Sequence, residues 1–165
     1  MAALKILSLA RERAFKRIPK LSKEDKNVYF IIDVETRKYI NKIRTDVNKV
    51  GFLVSKVYFQ TKGQFYKPAL YDKKDIRCAQ KVLSIKHDVD MNEYRQETFV
   101  QHKRLIMNHF GWTPFTKLSL PILTEYANNL VAVRQNKEDV LFSLVNYCWQ
   151  HRIEIPTYAT FSVLI

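Results

Sequence analysis

Apolar residues recur every three or four positions along most of the chain, the spacing that places them on one face of an α-helix. The pattern is clearest in two sets, Val47, Val50, Val54 and Val57, and later Leu141, Leu144, Val145, Cys148 and Trp149. Only three glycines and five prolines are present, and long uninterrupted segments favour helices over a turn-rich β architecture. The sequence therefore predicts an all-α, multi-helical protein of about eight helices, without a convincing strand.

Residues that commonly cap helices precede most of these segments. The caps are Ser8, Ser22, Asp33, Thr45 or Asp46, and Asp72. They predict helices over residues 8–17, 22–31, 34–44, 46–61 and 72–83. A sixth helix is expected over 92–110 with Gly111 as its stop. A seventh, whose start is flanked by Pro114 and Pro121, continues to Val133, and an eighth carries the apolar stripe from Leu141 to Trp149. Residues 158–165 resemble the start of another.

A short polar segment, residues 87–91, separates two groups of predicted helices. It predicts two helical units, residues 1–87 and 88–165. Each can form a helix-turn-helix-like arrangement, and the best pair is 34–44 with 46–61. Gly51 lies inside the second helix of that pair, where glycine costs about 1 kcal/mol relative to alanine. This predicts close packing of another backbone against it.

The charge is strongly unbalanced. The chain has 28 Lys and Arg against 16 Asp and Glu, a net charge of +12, and its pI is about 9.7. Such an excess is expected of a nucleic-acid-binding protein, although it is compatible with an anionic membrane surface or with solubility alone. No apolar segment reaches the roughly 18 residues of a membrane span. Two cysteines, Cys78 and Cys148, predict small apolar side chains in a reducing compartment.

Binding to duplex DNA requires cations for the phosphates, and amide or guanidinium groups for base edges. The helix over 46–61 has a valine face and basic or amide residues elsewhere, so it is the predicted recognition helix. Asn48 is the best candidate for an adenine edge, and Arg44 for a guanine or a phosphate. The full candidate set is Arg37, Lys38, Lys42, Arg44, Asn48, Lys49, Lys56, Lys62, Gln64, Lys67, Arg95, Gln96, His102, Lys103 and Arg104. The same residues are also compatible with an ordinary solvated surface.

Three aromatic residues have two interpretations each. Trp112 is placed either to stack on a base or to fill the core, and the core is the commoner environment for tryptophan. Phe65 and Tyr66, in a loop after the predicted recognition helix, either contact DNA or fix the loop against the helices. The second interpretation is slightly favoured.

The sequence offers little support for a metal site or a catalytic site. Cys148 and His151 have the spacing of a ligand pair, but no second pair supplies four ligands for zinc. Asp88, Asp90, Glu93 and Glu97 could hold Mg²⁺, although placement at a helix N-terminus explains Glu93 and Asp90 more simply. The sequence has no glycine-rich phosphate loop and no defensible Ser/His/Asp set. We predict no metal site and no catalytic residue.

Several motifs occur in a fixed order along the chain. They are Leu7-Ser8 with Arg11 and Pro19, the segment 43–54, Tyr58-Phe59 followed by Gly63-Gln64-Phe65 and Pro68, Tyr94, Glu97-Thr98 and His102, Gly111 to Phe115, and His151 to Pro156 continuing to Leu164. This ordered set, over about residues 6–165, resembles the N-terminal DNA-binding domain of Tn-three-type transposases, the enzymes of replicative transposons.

The resemblance implies a function and a set of partners. The domain would bind the terminal inverted repeats of a transposon as double-stranded DNA and would position the rest of the transposase polypeptide, with self-association possible. The acidic catalytic triad of that family lies C-terminal to this domain, so no catalysis and no cofactor are expected here, and Mg²⁺ is expected only for that absent catalytic domain. The expected location is the bacterial cytoplasm, in association with the nucleoid.

Two other functions remain open at this point. One is a helical protein-interaction module that uses Phe161, Val163 and Leu164. The other is an RNA-binding protein that uses stacking residues such as Tyr66 and Trp112 on single strands.

Overall fold

The computed structural model describes residues 5–133 and 135–165. Its α-helices are α1 (Leu9–Lys16), α2 (Lys23–Tyr29), α3 (Val34–Asn41), α4 (Asp46–Lys62), α5 (Lys73–Val82), α6 (Gln96–Phe110), α7 (Ser119–Ala132), α8 (Lys137–Gln150) and α9 (Tyr158–Leu164). Two short 3-10 helices, Pro68–Leu70 and Met91–Glu93, precede α5 and α6. No strand is present in the described residues, so the predicted all-α class is confirmed.

The predicted N-caps are confirmed by their hydrogen bonds. Ser8, Asp33 and Asp72 each accept a hydrogen bond from a backbone N–H in the first turn of their helices. Ser22 forms a capping box with Asp25, and Thr45 rather than Asp46 caps α4. These local bonds satisfy donors that a helix start leaves without a partner, which is why sequence spacing located the helix starts well.

Helix bounds differ from the prediction in the second half of the chain. The sixth helix was expected from residue 92, but residues 91–93 form a separate 3-10 helix and α6 begins at Gln96. The eighth begins at Lys137, before its apolar stripe, because Asn136 caps it by accepting a hydrogen bond from the Asp139 backbone. Pro121 lies in the first turn of α7, where a missing N–H costs nothing.

The chain forms two compact units, which do not follow the boundary predicted at residue 88. One unit, here called the central unit, comprises residues 18–109; the other, the terminal unit, comprises 5–17 together with 110–165. Residues beyond 88 belong to the central unit because Met91, Tyr94 and Phe99 are buried in the same apolar core as Val50 and Val54. A polar connection in sequence does not separate domains when the apolar residues on both sides share one core.

The central unit is organised around α4. Every residue from Val50 to Phe59 is buried, and the helix packs against α5. The ring of Tyr94 lies against Gly51, so the close neighbour of this glycine is an aromatic ring rather than the predicted backbone.

The terminal unit brings helices from the two ends of the described sequence, α1 and α9, together. Helix α1 packs against α9, and α7 packs against α8. Leu123, Leu141, Leu144 and Phe161 are fully buried in its core. Backbone hydrogen bonds between Thr113 and the segment after α8 tie the start of the α7 region to the end of α8.

Among the described residues, no helix combines the length and the apolar composition that a membrane crossing needs.

Candidate nucleic-acid interface

The predicted recognition helix is the core helix of the central unit. The prediction that this helix presents a basic face to the surface is wrong, because α4 is enclosed on all sides from Val50 to Phe59. Only its first turn and its last residues reach the surface: Asn48 and Lys49 are half-buried, and Lys62 is exposed. A helix whose body is covered by protein cannot lie in a major groove, so base readout along 46–61 is limited to that first turn.

Lys56 is the clearest correction to the candidate set. Only 4% of this residue is exposed, which excludes contact with a phosphate in this structure. Burial lowers the pKa of the Lys56 ammonium, and the carboxylate of Asp33 acts in the opposite direction. The sequence pattern treated every lysine as a surface residue, whereas this one lies inside the helix that forms the core.

The prediction that His102 lies on the surface is also wrong. It is 5% exposed, its Nδ1 lies 2.6 Å from the hydroxyl oxygen of Tyr94, and its ring meets Phe52 edge to face. Burial lowers the pKa of His102 to about 4. The residue is therefore a neutral member of the core at physiological pH.

The cations around α3 are accessible. Arg37, Lys38, Lys42 and Arg44 are all exposed. Lys38 is partly neutralised by Glu35, whose carboxylate lies 3.2 Å from its ammonium. These residues, together with Arg104 on α6, line none of the surface depressions described below.

Four of the predicted residues converge on one surface depression of the central unit. Lys67, Arg95, Gln96 and Lys103 line a depression of about 540 Å³, and the side chains of Phe65 and Phe99 also line it. The cations come from distant parts of the sequence, the loop after α4 and the start and middle of α6. Their juxtaposition is a product of the fold. Gln64 is next to this loop, half-buried, and accepts a hydrogen bond from the Tyr66 hydroxyl.

Helix α5 carries a basic stripe that the candidate set omitted. Its buried face includes Asp75, Ala79 and Gln80, whereas Lys73, Arg77 and Lys81 are exposed. These three cations are four residues apart, so they lie along one side of the helix. The signal was present in the sequence, and a search for periodic charge instead of periodic apolar residues would have found it.

These cations lie along three adjoining depressions of the central unit. The depression lined by Lys67, Arg95 and Lys103 shares Pro68 and Met91 with a second one of about 450 Å³. The second shares Arg77 and Gln80 with a third of about 430 Å³. We call the seven cations that line them the basic track: Lys67, Lys73, Arg77, Lys81, Lys86, Arg95 and Lys103.

The cations of the basic track are not neutralised by acidic partners. None of the seven takes part in an ion pair within the described residues. Two carboxylates, Asp88 and Asp90, line the middle depression together with Lys73 and Arg77. Asp90 is engaged as the cap of the second 3-10 helix, where it accepts a hydrogen bond from the Asn92 backbone. The track is therefore a cationic surface with an acidic interruption at its centre.

The aromatic loop after α4 is fixed against the helices. Phe65 stacks on Phe59 with ring centroids 4.5 Å apart, and Tyr66 is buried with its ring edge to face with Tyr58. The favoured interpretation of these two residues is confirmed. Trp112 lies in the terminal unit, half-buried, and meets Trp149 edge to face at 5.2 Å.

The residues considered for metal binding do not assemble a site. Among the described residues, no three His, Cys, Asp or Glu side chains are grouped as metal ligands would be. Cys148 is buried in the core of the terminal unit, and burial raises its pKa to about 12. Its role as a small apolar side chain is confirmed.

Comparison with known proteins places the chain in a family. Residues 6–165 match DUF4158, a family described as a domain of unknown function, and the chain belongs to it. No curated protein sequence matches the chain.

Proposed function

We propose that this protein binds double-stranded DNA through the basic track of its central unit. In this proposal it is the DNA-binding domain of a Tn-three-type transposase. It recognises the terminal inverted repeats of a transposon and leaves catalysis to another part of the polypeptide. The observation that carries the proposal is the continuity of seven cations along three adjoining depressions, none of which takes part in an ion pair within the described residues.

The charge distribution supports this choice of unit. Residues 18–109 contain 19 Lys and Arg against 11 Asp and Glu, whereas the remaining residues contain 9 against 5. The central unit therefore carries +8 of the net charge. Cations that are not held in ion pairs are available to phosphates, and each contact releases counterions from DNA.

Family membership supports the finer part of the proposal. DUF4158 domains are commonly found in Tn-three-type transposases, and the ordered motifs of the sequence resemble the DNA-binding end of such enzymes. Recognition of an inverted repeat requires base contacts in addition to phosphate contacts. Gln96, exposed at the start of α6 beside Arg95 of the track, offers an amide group of the kind that reads base edges.

The test is a comparison of two duplexes of equal length across a salt series. One carries the inverted repeat of the parent transposon and the other a scrambled sequence. The proposal predicts salt-sensitive binding to both and tighter binding to the repeat at physiological salt. Equal, purely salt-dependent binding would leave a basic helical domain without end recognition, and no binding to either would reject the proposal.

A second function, protein contact, is favoured by the surface of the terminal unit. Leu118, Val133 and Val163 are 84%, 67% and 87% exposed. Of the residues first considered for such contacts, Phe161 is excluded because it is fully buried in the core. This function predicts concentration-dependent association in the absence of DNA, which analytical ultracentrifugation would detect.

A further inference from the structure

The depression beside Phe65 has a composition that phosphate binding alone does not require. Beneath its surface, Phe59 and Phe65 form a parallel stack with an interplanar angle of 14°. Phe59 covers one face of the Phe65 ring, while Phe65 itself lines the depression. An aromatic ring therefore lines a cationic site.

A flexible cation lies near this ring, which also meets the ring of Phe99 edge to face. The Lys103 ammonium lies 6.0 Å from the centroid of Phe65 and 5.0 Å from that of Phe99. A cation in this position is attracted by the negative face of the ring. Lysine has a flexible stem, so its ammonium can move aside. A flat, electron-poor group can then take its place over the ring without any change in the backbone.

The charged and polar residues of the depression determine which charge a bound ligand should carry. Lys67, Arg95 and Lys103 contribute three cations, and Asn92 and Gln96 contribute amides. Of the described residues that line this depression, none carries a carboxylate. The site is complementary to an anionic ligand with a planar, hydrogen-bonding ring, which is the chemistry of a nucleotide.

We infer that this depression binds an unpaired nucleotide of a DNA strand, with its base stacked on Phe65 and its phosphate held by Lys67, Arg95 and Lys103. The inference rests on the proposed binding of DNA by the basic track. A base inside a duplex presents only its edges to a protein, so stacking on a ring that lines a depression requires a base that has left the helix. The volume of about 540 Å³ lies in the usual range for small-ligand sites, about 300 to 1,000 Å³.

The experiment compares three duplexes of one sequence with the full chain. The first is fully paired, the second carries a single unpaired thymidine as a bulge, and the third carries an abasic nucleotide in the same bulge. The abasic duplex has the same backbone and the same unpaired position, and it lacks only the base. We expect the thymidine bulge to bind roughly tenfold more tightly than the abasic one, the effect of stacking one base on an aromatic side chain.

Two variants locate the effect. Phe65→Leu keeps an apolar residue against Phe59, and it should reduce the ratio between the two bulged duplexes to about one while paired-duplex binding is retained. Lys81→Gln, at the other end of the track, should weaken binding to all three duplexes and leave the ratio unchanged. A ratio that survives Phe65→Leu would overturn the inference.

A crosslinking measurement keeps the test valid if Phe65→Leu does not fold. The wild-type chain is irradiated with a bulged duplex whose unpaired base is 5-iodouracil, and the attached residue is identified by mass spectrometry. Crosslinking to Phe65 supports the inference, and crosslinking outside the depression overturns it. Equal binding to the two bulged duplexes, with the paired duplex still bound, overturns this inference alone; failure to bind any duplex overturns the proposed function as well.

Discussion

The ring of Tyr94 covers Gly51 so closely that a Cβ atom at residue 51 would lie 2.5 Å from Tyr94 Cε1. Tyr94 is itself held by its hydrogen-bonding contact with His102 at 2.6 Å. The contact of Tyr94 with Gly51 joins the central helix α4 to the segment that leads into α6, and so to two cations of the basic track, Arg95 and Lys103.

Gly51→Ala should destabilise the protein by about 1–3 kcal/mol, the usual cost of overpacking a core. Alanine is the better helix former by about 1 kcal/mol, but the ring cannot withdraw without losing its contact with His102. Urea unfolding measures the change. In a Tyr94→Leu background the same substitution should cost less, and an equal cost in both backgrounds would show that the ring is not the obstacle.

Acid should destabilise the protein through His102. Its folded pKa of about 4 lies below its ordinary value near 6.5, so the unfolded chain binds a proton first as the pH falls. Above pH 6.5 His102 does not lower the free energy of unfolding. Between pH 6.5 and 4 it lowers the free energy of unfolding progressively, by up to about 3 kcal/mol. Thermal or urea unfolding between pH 7 and 4 measures this loss.

His102→Gln is the matched variant for that measurement, because it keeps a hydrogen-bonding side chain and cannot titrate. It should unfold with a flatter pH dependence than the wild type. Parallel pH profiles for the two proteins would assign the acid sensitivity to other groups.

Asp88→Asn should strengthen binding to duplex DNA. Asp88 is an exposed carboxylate beside Lys73 and Arg77 in the middle of the basic track, where it repels phosphates and offsets the attraction of its neighbours. We expect a several-fold tighter Kd at low salt, measured by fluorescence anisotropy. Asp139→Asn, in the terminal unit, removes the same charge and should leave the Kd unchanged if the track is the interface.

Asn48→Ala tests base readout from the first turn of α4, the part of that helix which remains accessible. If Asn48 reads an adenine, the substitution should cost about 1–3 kcal/mol on the inverted repeat and little on a scrambled duplex. Competition binding with both duplexes gives the difference. An equal loss on both would remove Asn48 from the specificity-determining residues.

Much of the fold could be predicted because its signals are local. Ser22, Asp33 and Asp72 cap their helices through bonds that span three residues or fewer, so the sequence alone contains the whole interaction. The burial of α4 could not be predicted in this way. Lys56 and His102 are polar residues covered by elements distant in sequence, and their burial depends on tertiary packing.

The candidate interface was predictable only in part for the same reason. Lys67 and Lys103 were selected for their charge, but their convergence with Arg95 follows from the packing of the loop after α4 against α6. The stripe of Lys73, Arg77 and Lys81 is periodic within one helix and was detectable. It lies outside residues 46–61, the segment whose valine pattern predicted the recognition helix.

The most direct test of the DNA-binding account is the salt dependence of duplex binding for two charge-matched double variants. Arg77→Gln/Lys81→Gln removes two cations of the basic track, and Arg37→Gln/Lys42→Gln removes two exposed cations of the α3 region. The account predicts that the first variant lowers the slope of log Kd against log salt by about 2 and that the second leaves it close to the wild-type value. A loss confined to the α3 variant would contradict the account and place the interface on α3.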